Sequence, residues 1–420
     1  MARTPEPLAR APLHTRRRAL RPSRRRWRQR AGAAFARSVL FSLTAALSTY
    51  GIYEAYGVVS AGGVTPLEGV FLAFFGLNFT WVAYTLVQCA LGFLVAPRRE
   101  RQAAPSASLR TALLIPIYEE DARTVVANAL AMAAALASDR RSAGRFAVYL
   151  LSDTQSPGAI LAEECVVRSA LSQVPSACPL HYRRRCRNTE RKAGNVADWV
   201  AEHGRAWDTM VVLDADSLMS VECLLRLVDR LRTNPDLGLI QTLPVVVGAR
   251  SLFARTQQFA GACYGHLYAR GLAAWHGRSG NYWGHNAIVR IEAFIEAARL
   301  PILPGTAPFG GDLLSHDFVE AAFLRRAGWG VRFDADLEGS FEQAPPSLID
   351  TIVRDRRWCQ GNLQHLSVLG AKGLTVTSRL HLATGVYAYL SSPVWFALVL
   401  TGLGLALQVQ LVPPDYFAKP

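Results

Sequence analysis

The chain has 420 residues, half of them hydrophobic, which is room for one domain of ordinary size together with membrane-embedded material. Its net charge of +14 invites a nucleic-acid reading, but residues 1–38 hold twelve arginines against a single acid, Glu6, so the excess belongs to a tail and nucleic acid is not an expected partner. Seven scattered cysteines with neither a C-x-x-C pair nor zinc spacing point to reduced thiols in a cytosolic compartment, each expected as a small buried apolar residue.

Residues 1–34, with Arg16-Arg17-Arg18 and Arg24-Arg25-Arg26 interrupted by Pro5, Pro7, Pro12 and Pro22, cannot build a core and are expected to be a disordered cytosolic tail. Two apolar stretches follow: Phe35 to Val59 carries only Arg37 and Glu54, and Pro66 to Val95 only Glu68. Each exceeds the ~20 residues that cross a hydrocarbon core, and the first is too long for a cleavable signal. The basic tail before them and Arg98, Arg99 and Arg101 after them place both flanks on the cytoplasmic side. Residues 35–98 thus form a hairpin whose connection near Ser60 to Thr65 faces outward, with Tyr50, Tyr53, Tyr56 and Trp81 suited to the interface.

After a polar linker, Gln102 to Ser108, the pattern becomes short apolar strands alternating with amphipathic helices. Strands are expected at Thr111 to Ile117, Phe146 to Leu151, Leu180 to Arg184, Thr209 to Leu213 and Gly238 to Thr242. Helices are expected near Ala122 to Ala137, Pro157 to Ser172, Asn195 to His203, Val221 to Arg232 and Leu252 to Ala274. That alternation predicts an α/β domain over 99–344 with a mostly parallel sheet covered on both faces, lying in the cytoplasm because two spans return the chain to the side it left. Residues 345–382, with Pro345-Pro346 ahead of Arg-rich helix, read as amphipathic helices on the membrane face. Residues 383–412 form a third span and 413–420 an outer tail. Three spans are a thin anchor, and the 420 residues are expected to be a portion of something longer or a natural truncation.

Four stretches with chemical potential fall at successive strand ends. Pro116-Ile117-Tyr118-Glu119-Glu120-Asp121 sets an aromatic and several acids where a base and ribose could sit, although acids also suit the first turn of a helix. Ser152-Asp153-Thr154 offers either a nucleotide contact or a helix cap. Arg191-Lys192-Ala193-Gly194-Asn195 brings a cation and a glycine that could admit a diphosphate. Asp214 and Asp216 either share a hard divalent cation such as Mg²⁺ or Mn²⁺ or lie in a solvated turn where Asp216 or Ser217 caps the helix expected near Met219.

In this order P-x-Y-E-E, S-D-T, K-A-G-N and D-A-D resemble the nucleotide-sugar half of the processive family 2 glycosyltransferases, the inverting GT-A superfamily that includes cellulose and hyaluronan synthases. The resemblance implies a GT-A fold, Rossmann-like with a mixed or parallel sheet, between transmembrane helices on both sides. It implies that Asp153 meets uracil, that Lys192 lies near the nucleotide, and that Asp214 and Asp216 bind the diphosphate through Mg²⁺ or Mn²⁺. Pro116, Tyr118 and Glu119 would join the donor site. Ser315-His316-Asp317 resembles the family's T-E-D, which makes Asp317 the catalytic base, with Asp312 as the fallback; an isolated Asp at a helix start is otherwise a cap. Arg354-Asp355-Arg356-Arg357-Trp358 resembles Q-x-x-R-W, with Trp358 stacking on the acceptor and Arg357 facing the diphosphate, but Arg354 stands where the common pattern has Gln. Asn281 to Asn286 resembles the glycine-containing acceptor loop and supplies His285. His285 and His316 are more often structural than metal ligands.

S-H-D-F-V-E-A-A and R-D-R-R-W-C-Q-G-N are closest to bacterial enzymes that make the β-glucan backbone of osmoregulated periplasmic glucans from UDP-glucose, over about residues 35 to 412. This implies a multi-pass protein of the bacterial inner membrane with a cytoplasmic catalytic domain. The partners implied are a UDP-glucose donor, a glucan acceptor, the lipid bilayer, a periplasmic glucan-processing protein and an acyl carrier protein. Two rivals stay open: another polysaccharide synthase of cellulose or hyaluronan type, and a non-catalytic membrane sensor that binds a nucleotide sugar and offers its Arg-rich tail to partners or anionic lipid.

Overall fold

The computed structural model describes residues 8–15, 18, 26–60, 63–95, 109–297 and 300–411. The linker Gln102 to Ser108, the flanking Arg98, Arg99 and Arg101, the outer tail 413–420 and most of the basic tail lie outside them. Two membrane-type helices, α1 (Arg26–Val59) and α2 (Pro66–Leu94), lead into β1 (Thr111–Ile117), α3 (Ala122–Ser138), β2 (Phe146–Ser152), α4 (Pro157–Leu171), β3 (Leu180–Arg184), α5 (Arg191–His203) and β4 (Thr209–Val212). Then come β5 (Leu218–Met219), α6 (Val221–Arg232), β6 (Leu237–Thr242), β7 (Val245–Val247), α7 (Leu252–Ala260), α8 (His266–His276), β8 (Ala287–Arg290), α9 (Ile291–Ala297) and α10 (His316–Arg326). β9 (Gly330–Asp334), β10 (Ser340–Gln343), α11 (Leu348–Leu369) and α12 (Val376–Leu411) are the last described elements.

Seven strands form the main sheet in the order β3-β2-β1-β4-β8-β6-β9. β3, β2, β1 and β4 are parallel, β8 runs antiparallel to both its neighbours, and β6 pairs parallel with β9. β1 reads as an unbroken apolar run because both of its faces are covered. Leu113, Ile115 and Ile117 pack with α3 and α6, whereas Ala112 and Leu114 pack with Val196 and Trp199 of α5 and Phe323 of α10. The strands expected at 111–117 and 180–184 coincide with β1 and β3. β8 escaped the sequence pattern because Ala287–Arg290 is four residues long and runs straight into α9 with no turn residue between them. β5, β7 and β10 form a small second sheet beside the tip of β4. The single helix expected over Leu252 to Ala274 is divided by a π turn at Gly261–Gly265.

Among the described residues, three helices are long and apolar enough to cross a membrane, over Ala31–Val59, Pro66–Leu94 and Val376–Gln408. Glu68, the one acid in the second, completes a capping box: its carboxylate accepts the Thr65 backbone N–H at 2.7 Å while the Thr65 hydroxyl accepts the Glu68 N–H at 3.4 Å. α12 starts earlier than the span expected from Ala383. Its first turns are anchored in the domain, with Leu382 fully buried and His381 hydrogen-bonded to the Ser279 carbonyl at 2.8 Å.

Two expectations are corrected. In the tail expected to be disordered, the described residues Leu8, Ala11 and Leu13 pack against the core, and the Arg326 guanidinium donates to the carbonyls of Pro12 (2.8 Å) and Leu13 (2.7 Å). Three apolar side chains and the hydrogen bonds of Arg326 hold that part against the domain. Of the cysteines, only Cys178 and Cys223 are buried; Cys165, Cys186 and Cys263 are exposed and Cys89 and Cys359 half-buried, so the small-apolar-core reading holds for two of the seven.

Candidate active site

The loop after β1 spends its acids locally. Asp121 caps α3 by accepting from the N–H groups of Arg123 and Thr124, and Glu120 accepts from the Tyr118 N–H. The Glu119 carboxylate accepts the Ser156 N–H at 3.0 Å, tying this loop to the one after β2. Pro116, in β1, is half-buried, and Tyr118 is exposed beside it. Asp153, buried at the end of β2, is held by both arms of Arg185, at 2.7 and 2.8 Å, and Arg185 also reaches Asp198 at 2.8 Å. Arg185 went unnoticed because it is one of a run of arginines after β3. Asp153 would have revealed it, since a buried carboxylate requires a partner.

At the tip of β4 the capping reading of Asp214 and Asp216 fails. α6 is capped by Ser220, whose hydroxyl accepts the Cys223 N–H at 3.2 Å, and the Ser217 hydroxyl instead accepts the Asp214 N–H at 3.0 Å and closes the turn. Both carboxylates are half-buried. Lys192, in the first turn of α5, places its ammonium on Asp214 Oδ1. His285 Nε2 lies 4.0 Å from Asp214 Oδ2 and 3.5 Å from Glu342 Oε2 of β10. Desolvation favours a protonated Asp214, yet the charges of Lys192, His285 and Arg354 override it and hold the carboxyl well below its ordinary value. Asp216 is pushed up by desolvation and by the charge of Asp214. Glu342, absent from every sequence pattern, is pushed up by desolvation and by Asp216 and Asp214, against His285 and Arg354. Gly194 serves the fold more than a ligand, since a Cβ there would lie 2.1 Å from the Thr189 carbonyl. Asn195 is equally structural, its amide donating to the Leu151 carbonyl at 3.0 Å.

Among the described residues no three His, Cys, Asp or Glu side chains form a ready-made ligand set. The donors present still fit a hard divalent cation. Asp214 and Asp216 offer carboxylate oxygens with coordination left for substrate phosphates, which is how Mg²⁺ is commonly held. The raised Asp216 and Glu342 show an acidic cluster whose repulsion such a cation would relieve.

Across the cleft, α10 begins at His316, and Asp317 stands in its first turn. The acceptor-like loop packs against it: a Cβ built on Gly284 would lie 3.5 Å from Asp317 Oδ2. Asp317 is pushed up by desolvation and by Glu320, against His316. His316 Nδ1 lies 3.1 Å from the Glu320 carboxylate, while His285 faces two acids of the cluster. Asp312, the fallback base, is exposed on the loop before α10. Trp358 is 45% exposed, with the Arg354 guanidinium 4.2 Å over its ring, and Arg357 is exposed beside it. Arg354 therefore spans two groups: it stacks on Trp358 while its charge bears on Asp214, Asp216 and Glu342.

The family model "Glycosyl transferase family group 2" matches residues 209–408. A glucans biosynthesis glucosyltransferase H of Rhodopseudomonas palustris is 48% identical across 99% of this chain and 58% of its own length. One of Vibrio cholerae is 47% identical across 89% of this chain and 52% of its own length, so the chain spans little more than half of these relatives. Among solved structures, a mannosyltransferase from Pyrobaculum calidifontis in complex with GDP-Man and Mn²⁺ is similar in fold, with a TM-score of 0.55, 15% identity, and coverage of 84% of this chain and 89% of that one. The central α/β domain thus has the mixed, parallel-rich architecture of the GT-A glycosyltransferases.

Proposed function

We propose that this chain, similar to glucans biosynthesis glucosyltransferases H and matched over 209–408 by the family 2 glycosyltransferase model, transfers glucose from UDP-glucose, with inversion, to a growing β-glucan, the backbone of an osmoregulated periplasmic glucan. The observation that carries the reading is the convergence of Lys192, Asp214, Asp216 and His285 at the tip of β4, with Asp317 behind Gly284 in the adjoining loop. Asp153, with Arg185, would receive the uracil, and Pro116, Tyr118 and Glu119 line the same end of the sheet. Asp214 and Asp216 would hold Mg²⁺ or Mn²⁺, which when bound supplies positive charge for the departing diphosphate. Lys192 brings a further cation to the same point, and Arg357 of α11 would face the diphosphate.

Inversion needs one base near the acceptor hydroxyl, and Asp317 fills that role. Burial favours its protonated form, which makes the ionised carboxylate a stronger proton acceptor than an ordinary aspartate. The exposed face of Trp358 would seat the acceptor sugar, holding its hydroxyl for attack on the anomeric carbon. The domain 99–344 would work on the cytoplasmic side of a bacterial inner membrane. Residues 35–98 and 383–412 would cross that membrane, and 345–382 would lie along its surface, where Leu348, Ile349, Ile352 and Val353 leave an apolar stripe of α11 exposed.

Asp317→Asn tests the proposal in membranes containing the protein. Glucan formation and UDP release should fall by about 10³-fold or more while UDP-glucose binding persists. Undiminished transfer would overturn the assignment of the base. Linkage analysis of the wild-type product tests the β-glucan.

A further inference from the structure

α11 carries Trp358 on its exposed side and, within the next two turns, a buried row of Gly361, Gln364 and His365. That row faces the loop leading to Asp317. The Gln364 carboxamide is fully buried and uses both its ends on loop backbone. Its oxygen accepts the Leu314 N–H at 3.0 Å, and its nitrogen donates to the carbonyls of Gly310 at 3.1 Å and Asp312 at 3.0 Å. His365 Nε2 lies 3.1 Å from the Ser315 carbonyl, which can only accept, so that nitrogen carries the proton. Asn362 donates to the Ser315 hydroxyl at 3.3 Å and to the Trp358 carbonyl at 2.9 Å. A Cβ on Gly361 would lie 2.4 Å from both the backbone nitrogen and the hydroxyl of Ser315, so helix and loop are in direct contact. Ser315 occupies the N-cap of α10 without making the usual cap, its hydroxyl turned to α11 instead.

We propose that Gln364 is the positioning residue of Asp317: its carboxamide, helped by Asn362 and His365, locks loop 310–315 to α11, so that the base and Trp358 keep one fixed separation and the acceptor seated on the tryptophan meets the carboxylate in register. The proposal rests on the reading of Asp317 as base and Trp358 as acceptor platform. It gives the buried polar row a task that an apolar helix surface could not perform, since the loop backbone groups at 310, 312 and 314 need partners inside the protein.

The experiment uses the full chain in membranes, with UDP release as the assay and UDP-glucose as donor. Gln364→Met, close in volume but without the hydrogen bonds, should lower kcat by about 10²-fold with KM for UDP-glucose changed by less than about threefold. Combined with Trp358→Ala it should cost little more than the worse single change, because each breaks the same base-to-acceptor register. Losses that multiply in the double variant, or a kcat as in the wild type, would overturn the proposal. Should Gln364→Met fail to fold, Asn362→Ala, at a half-buried position, carries the test: kcat should fall by about 3- to 10-fold at constant KM, and an unchanged kcat overturns it. Asp317→Asn separates the two levels. Retained transfer there removes the base itself, whereas an inactive Asp317→Asn beside a wild-type Gln364→Met removes only the clamp.

Discussion

The proposed donor and acceptor sides of the cleft are assembled by different means. Asp153, Lys192 and Asp214 follow β2, β3 and β4 of one parallel run, so each side chain is delivered past the carboxyl end of a strand in one continuous block, with β4 beside β1. Ligands bind at such strand tips because the connections there leave a crevice. The proposed acceptor side gathers the Gly284 loop, the start of α10 and the middle of α11; buried polar contacts join α11 to the loop leading into α10, beside the stack of Phe318 on His365. Placement by a sheet is robust to single changes outside the tips, whereas placement by a few hydrogen bonds is sensitive to each of them.

The largest test of this contrast is Asp214→Asn. It removes the charge that Lys192 and His285 surround, and should reduce turnover by about 10²- to 10³-fold while abolishing the dependence of UDP binding on Mg²⁺ or Mn²⁺, measured by calorimetry with and without the ion. Metal-dependent binding that survives would place the cation elsewhere. Arg354→Gln should have a middle effect and probes the boundary, because the residue belongs to α11 while its charge falls on the Asp214 cluster. Nucleotide affinity should weaken by about 3- to 10-fold, with a smaller change in acceptor dependence. The reverse pattern would assign Arg354 wholly to the acceptor side.

The smallest effect concerns pH. Burial raises the Asp317 pKa, so the folded chain keeps that proton at pH values where the unfolded chain has lost it. The group's contribution to stability is complete below the ordinary carboxylate range, at about 4, and is lost as pH rises through the raised value. Asp317→Asn, which cannot ionise, should therefore melt a few degrees above the wild type at about pH 8 and show no advantage near pH 4, read by thermal unfolding. Wild-type activity should run the opposite way, falling as the pH drops through the same raised value and the base becomes protonated.

Asp317 and Trp358 entered through the family resemblance; the sequence by itself determined the alternation of strands and helices from β1 to α6, the three span-length helices, and Asp153, Lys192, Asp214 and Asp216 as candidates. Those features are local: an apolar run of fixed period, ended by a polar residue, states both the element and its tip. Tertiary structure alone decided the partners. Arg185 on Asp153, Glu342 beside His285, Gln364 on the 310–314 backbone and Arg354 over Trp358 come from residues whose own neighbourhoods carry no pattern. Burial explains why the first three had to exist, since a carboxylate or a backbone N–H removed from water needs a partner, but only packing says which residue supplies it. The opening question of the β4 tip was settled in the same way. Two acids one residue apart, taken alone, suit a helix cap more readily than a cation, and Ser220 at the cap of α6 removed the first use from this pair.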